Sequence, residues 1–223
     1  MHQAGVPSVF DGIANTIAVI VLLIEFLMLR AALLRAQVRL YAVQSLVVSV
    51  LAAVVAGGRS VPELYALAGV SFALKAVIVP GLILRLMKDA SAEIAGSGVL
   101  GVASEIMLAI AIAAFGFFTV GVLGIQSDVL PGTALSLAFA VVLVAFALII
   151  VRRDVVSQAI GFFSLENGVS LVSLVVAAGM PLILEVAFLF DLLVAVVVFG
   201  VLMRVHHQRT RSLSTVTLTR LKG

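Results

Sequence analysis

Seven apolar runs, most of them about the 18–25 residues that one helix needs to cross a bilayer, take up most of this chain. That pattern constrains the fold more than any motif. A chain of 223 residues that is 63% hydrophobic and only 11% charged could not cover a soluble domain's surface with polar groups. The expected class is an all-α integral membrane protein with about seven transmembrane helices, forming a single membrane domain over residues 1–223.

The runs are separated by polar punctuation. Helix one is expected over 13–33, with Asp11 or a neighbour as N-cap. Helix two covers 40–56 and stops at Gly57-Gly58. Helix three covers 62–86, begins on Pro62 and is kinked by the internal Pro80. A small-residue loop from Lys88 to Gly98 then divides the chain into a first half, 1–87, and a second half, 99–205. Helices four to seven are expected over 99–123, 134–151, 155–178 and 181–205, followed by a basic tail at 206–223.

Basic residues give the expected orientation. With the N-terminus outside and the C-terminus cytoplasmic, cytoplasmic connections hold Arg30, Arg35 and Arg39; Arg85 and Lys88; Arg152 and Arg153; and Arg204, Arg209, Arg211, Arg220 and Lys222. That is twelve of the fourteen basic residues. It accounts for a pI near 9.8 without nucleic acid as a partner. No basic region precedes the first apolar run, so a cleaved signal peptide is not expected. The chain has no cysteine, and its three histidines lie near its ends, which argues against thiolate, haem or copper ligation within the bilayer. No cofactor, metal or catalytic motif is expected on this chain alone.

Six ionisable side chains interrupt the apolar runs: Glu25, Lys75, Glu105, Glu166, Glu185 and Asp191. A charge at the centre of a membrane helix costs about 2.5–3.5 kcal/mol on insertion scales, so each is a candidate for function. Counting residues from helix ends places Lys75, Glu166 and Asp191 at mid-depth. Glu25, Glu105 and the polar Gln44 fall in the cytoplasmic half, and Glu185 in the outer half. Such a set suits a proton route, with Lys75 reducing the cost of a nearby acid. Each also has a structural reading. Glu25 could snorkel or pair with Arg30, Glu185 could be a helix-start charge, Glu105 could face another subunit, and the central three could form an interhelical salt bridge.

Four separated segments carry a family resemblance: Arg39-Leu-Tyr-Ala-Val-Gln-Ser45, Leu74-Lys75 through Pro80, Ser157-Gln-Ala-Ile-Gly through Gly168, and Arg220-Leu-Lys-Gly223. Together they resemble hydrogenase-4 component E over nearly the whole chain. The part at 134–205 also resembles subunit K of bacterial complex I and its counterpart in Mrp antiporters, the C component of those systems. The shared features there are Arg152-Arg153, the Gly-x-x-x-Leu-Glu pattern at Gly161–Glu166, and Asp191 followed by apolar residues. The resemblance implies that Glu166 and an acid on the next helix serve proton translocation; Asp191 fits that place, with Glu185 as the other register. A faint repeat sets Gln44 and Lys75 against Glu166 and Asp191.

The implied function is a subunit of an energy-converting hydrogenase, formate hydrogenlyase-like or complex I-like assembly in the bacterial inner membrane. Implied partners are large antiporter-like membrane subunits, an H-like membrane anchor of the complex I type, soluble redox subunits on the cytoplasmic side, and lipid. A structural scaffold and a small stand-alone transporter are the alternatives.

Overall fold

A computed structural model of the chain describes residues 9–59, 62–87, 100–124, 131–176 and 190–202. These residues are almost entirely helical, and no strand occurs among them. Among the described residues, six helices are long and apolar enough to cross a membrane. The molecule is therefore a helical, multi-pass membrane protein.

Helix α1 is Val9–Arg30 and α2 is Leu34–Arg59. Asp11 falls inside the first turn of α1 instead of before it. Helix α1 also ends three residues earlier than expected. The side-chain amide of Gln37, one turn into α2, donates to the carbonyls of Met28 and Ala31 at 3.2 Å each, taking over acceptors that the end of α1 leaves open. Helix α2 runs through Gly57-Gly58, which does not stop it. Gly57 is used for close approach: a Cβ there would lie 2.8 Å from the Tyr65 hydroxyl.

Helix α3, residues 62–86, is built from three consecutive pieces: Pro62–Ser71, a π-helical stretch Phe72–Ile78, and Val79–Leu86. Pro80 explains the change of winding. It has no N–H to donate, and its ring would collide with the carbonyl four residues back in an α-helix. The wider winding lets Val79 N–H donate to Leu74 O, five residues back. The expected disturbance is thus real, and it spans seven residues on the N-terminal side of the proline. Lys75 lies within it.

Helix α4 is Val102–Leu123, α5 is Gly132–Val151 and α6 is Val155–Val176. A further apolar helix, α7, is described over Phe190–Leu202. Glycines seat α6 on α5: a Cβ on Gly161 would meet Ile149 at 2.8 Å, and one on Gly168 would meet Val142 at 2.9 Å. The partner number falls as the glycine number rises, so the two helices run antiparallel. Asp154 caps α6 by accepting from Ser157 N–H at 2.7 Å. Helix α7 joins through Leu192 and Ala195, with Phe199 packed on Phe162 and Phe163.

The interior consists of two apolar clusters. One gathers Met28, Leu34, Ile83, Leu148 and Ile160; the other gathers Ala18, Leu51, Ala68, Leu135 and Leu174. Along α2 the first ends at Tyr41 and the second begins at Val48. Along α6 they end and begin at Phe163 and Leu171. What lies between them is polar.

Candidate functional site: a polar layer between two apolar cores

The residues between the clusters are Glu25 on α1, Gln44 and Ser45 on α2, Lys75 on α3, and Ser164, Glu166, Asn167 and Ser170 on α6. All are buried. Helix α6 supplies half of them because its faces divide the work. Gly161 and Gly168 pack on α5, while Ser157, Ser164 and Asn167 recur at helical spacing and meet α2. Ser157 donates to Gln37 Oε1 at 2.7 Å, and Ser164 contacts Gln44 Oε1 at 2.9 Å. Both pairs are separated by 120 residues, so α2 and α6 run in the same direction in constant register.

On one side of the layer Gln44 Nε2 donates to Glu25 Oε2 at 2.7 Å, and the Ser164 hydroxyl meets the same carboxyl oxygen. Asn167 Nδ2 donates to Gln44 Oε1 at 3.1 Å and to Ser45 Oγ at 2.9 Å. On the other side Lys75 Nζ donates to Ser170 Oγ at 3.0 Å and pairs with Glu166 Oε1 at 3.5 Å. Tyr41 lies between the two groups. Its ring packs on Phe163, with centroids 5.8 Å apart, and its buried hydroxyl makes no hydrogen bond among the described residues.

Glu166 also faces outward from the layer. With Phe162, Leu165, Val169 and Asp191 it lines a partly open cavity of about 150 Å³. Asp191 is exposed, whereas Glu166 is buried. The cavity is largely apolar apart from these two carboxyls. The two acids singled out on successive apolar runs therefore share one space, and the lysine stands on the far side of one of them. Such an arrangement can hold and exchange protons; among the described residues it offers no cluster of His, Cys, Asp or Glu able to hold a metal ion.

The relative levels of the helices bring Glu25 and Gln44 against Ser164, two residues from Glu166 on α6, and Glu25 does not snorkel: it is fully buried and bonded to that helix. Counting from each helix's own end treats the ends as flush. Here α1 ends five residues after Glu25, whereas α6 begins nine residues before Ser164. Glu105 stands apart. It is buried in the first turn of α4, its backbone N–H donates to Gly101 O at 3.0 Å, and its side chain makes no hydrogen bond or ion pair with the described residues. Glu185 lies outside the described residues.

Sequence reasoning passed over Ser45, Ser164, Asn167 and Ser170, and the junction at the helix turns. There the Arg152 guanidinium donates to Leu29 O, tying the α5–α6 turn to the end of α1. A signal was available: Gln37 and Gln44 are seven residues apart, as are Ser157 and Ser164. That spacing stacks polar groups on one helix face.

No protein-family model matches the chain, and no solved structure matches it. It is 35% identical over 132 residues, 58% of its length, to a protein of Mycobacterium tuberculosis named uncharacterized protein Rv0085. The chain spans 60% of that relative's length.

Proposed function

We propose that this chain is a seven-helix subunit of a proton-translocating, energy-converting complex of the hydrogenase-4 or complex I type. It sits in a bacterial inner membrane with its N-terminus outside and its C-terminus cytoplasmic. The observation that carries the reading is the buried Lys75–Glu166 pair, level with Glu25 and opening through Glu166 onto a cavity shared with Asp191. Charged groups at this depth are expensive, and pairing with one another reduces the expense. In this reading Glu166 and Asp191 exchange protons through the cavity, and Lys75 sets the charge of Glu166. Redox chemistry belongs to soluble partner subunits. Proton passage across the membrane belongs to large antiporter-like neighbours beside an H-like membrane anchor.

The test is Glu166→Gln in the assembled complex, with proton uptake followed by a pH-sensitive dye in inverted membrane vesicles. Coupled proton movement should fall severely while the complex is recovered intact. Normal pumping would sink the assignment. A scaffold reading is favoured by a different observation: the layer's hydrogen bonds tie α1, α2, α3 and α6 together. It predicts that the same substitution reduces the yield of assembled complex and leaves the activity of whatever assembles unchanged.

A further inference from the structure

Among the described residues, the polar layer holds two buried carboxyls and one lysine, and their surroundings differ in kind. Glu166 faces the Lys75 ammonium at 3.5 Å. Among the described residues, Glu25 faces only neutral groups: the Gln44 amide, the Ser164 hydroxyl and the backbone of its own helix. Arg30 is exposed and five residues further along α1, a spacing that does not share a face. Lys75 is engaged by Ser170 and Glu166.

Hydrogen counting then becomes informative. Ser164 has one hydroxyl hydrogen, yet its oxygen contacts two acceptors, Glu25 Oε2 and Gln44 Oε1. A hydrogen placed between Ser164 and Gln44 calls for a hydrogen on Glu25 to bridge it to Ser164, whereas one placed between Ser164 and Glu25 leaves Ser164 Oγ and Gln44 Oε1 in contact at 2.9 Å with none between them. Reversing the Gln44 amide does not remove the need. Gln44 Oε1 would then stand 2.7 Å from Glu25 Oε2, and again only Glu25 could carry the hydrogen between two oxygens. The other oxygen, Glu25 Oε1, is buried and accepts no hydrogen bond among the described residues, and Glu25, unlike Glu166, has no cation among them to offset an ionised charge. Charge balance agrees: with Glu25 neutral, Lys75 and Glu166 cancel within the layer.

We infer that Glu25 is the proton-holding group of the layer, a neutral carboxylic acid hydrogen-bonded to Ser164 and Gln44, while Glu166 is the carboxylate counter-ion of Lys75. Environments that drive two carboxyls into opposite protonation states mark an acid and a base set side by side. The inference deepens the proton-path reading by naming which group is loaded at rest. It depends on that reading only for the use made of the proton, not for the proton's presence.

Infrared spectroscopy of the full chain in lipid nanodiscs tests it without any transport assay. At neutral pH the wild-type chain should show the carbonyl stretch of a protonated carboxylic acid. The band should shift on isotopic labelling of the glutamate side-chain carboxyls, vanish in Glu25→Gln and survive in Glu166→Gln. Because glutamine keeps both a donor and an acceptor, Glu25→Gln should also retain the wild-type melting temperature, whereas Glu166→Gln should lower it. Absence of the band from the labelled wild-type chain overturns the inference, even if neither variant folds. So does a band that persists in Glu25→Gln or disappears in Glu166→Gln. Normal pumping by Glu166→Gln would defeat the proton-path reading and leave this result standing.

Discussion

Helices α4 and α6 are of equal length, and the comparison between them runs against the habit of soluble proteins. Helix α4 is the more apolar of the two, yet less than a quarter of it is buried inside the bundle, whereas the more polar α6 is largely buried. In water the more apolar helix would go inside. In lipid, tails solvate leucine and phenylalanine as well as the protein does, so apolar character does not drive a helix inward. What needs shelter is the polar group, whose partners must come from the protein. Helix α4 accordingly turns Met107, Phe115, Phe118 and Val122 outward, while α6 brings Ser164, Glu166, Asn167 and Ser170 to the centre.

The sharpest way to break this comparison is to remove the cation that α6 relies on. Lys75→Met should destabilise the chain by about 3–5 kcal/mol, because the buried Glu166 carboxylate loses its ion-pair partner. Adding Glu166→Gln to the same chain should restore part of that loss. Unfolding titrations in mixed micelles would measure both, and a Lys75→Met chain as stable as the parent would show that the pair does not anchor α6.

A smaller effect separates the two helices by packing. Gly168→Ala should destabilise by about 1–3 kcal/mol, since the new Cβ meets Val142 and Val141. Gly121→Ala on α4 has open space around it and should stabilise by up to about 1 kcal/mol through helix propensity. The same titrations should return opposite signs; equal signs would mean that α6 is not seated on α5 through its glycines.

The smallest contrast lies at the helix starts. Asp154→Ala removes the cap of α6 and should cost about 1 kcal/mol. Helix α4 starts at Gly101 with no side-chain cap, so Gly101→Asn should stabilise by a few tenths of a kcal/mol. Thermal denaturation of the two variants would read the difference, and an unchanged melting point for Asp154→Ala would remove the cap from the account of α6.

Much of this was legible in the linear chain. Apolar run length set the helix positions, because bilayer thickness imposes it, and Pro80 announced a break in α3 because a missing N–H cannot be concealed. Glu166 and Lys75 stood out because a charge within a long apolar run is costly wherever its helix goes. The π-helical winding around Lys75 was not legible, nor was the length of α2 beyond its glycines, since both depend on what neighbouring helices accept.

The chain by itself determined that helices form, roughly where, and which side chains would need partners. Only the tertiary structure decided who the partners are. Gln44 read as a candidate without a partner, and Asn167 drew no notice, until a constant register between α2 and α6 set them face to face. Glu25 read equally as a proton-route acid or as a charge snorkelling near the end of its helix until the offset between α1 and α6 placed it beside Ser164. Helix formation follows from local hydrogen bonding and apolar run length, which a sequence displays. The depth and pairing of a buried charge follow from how helices slide past one another, and that is settled by glycine contacts and hydrogen bonds more than a hundred residues apart.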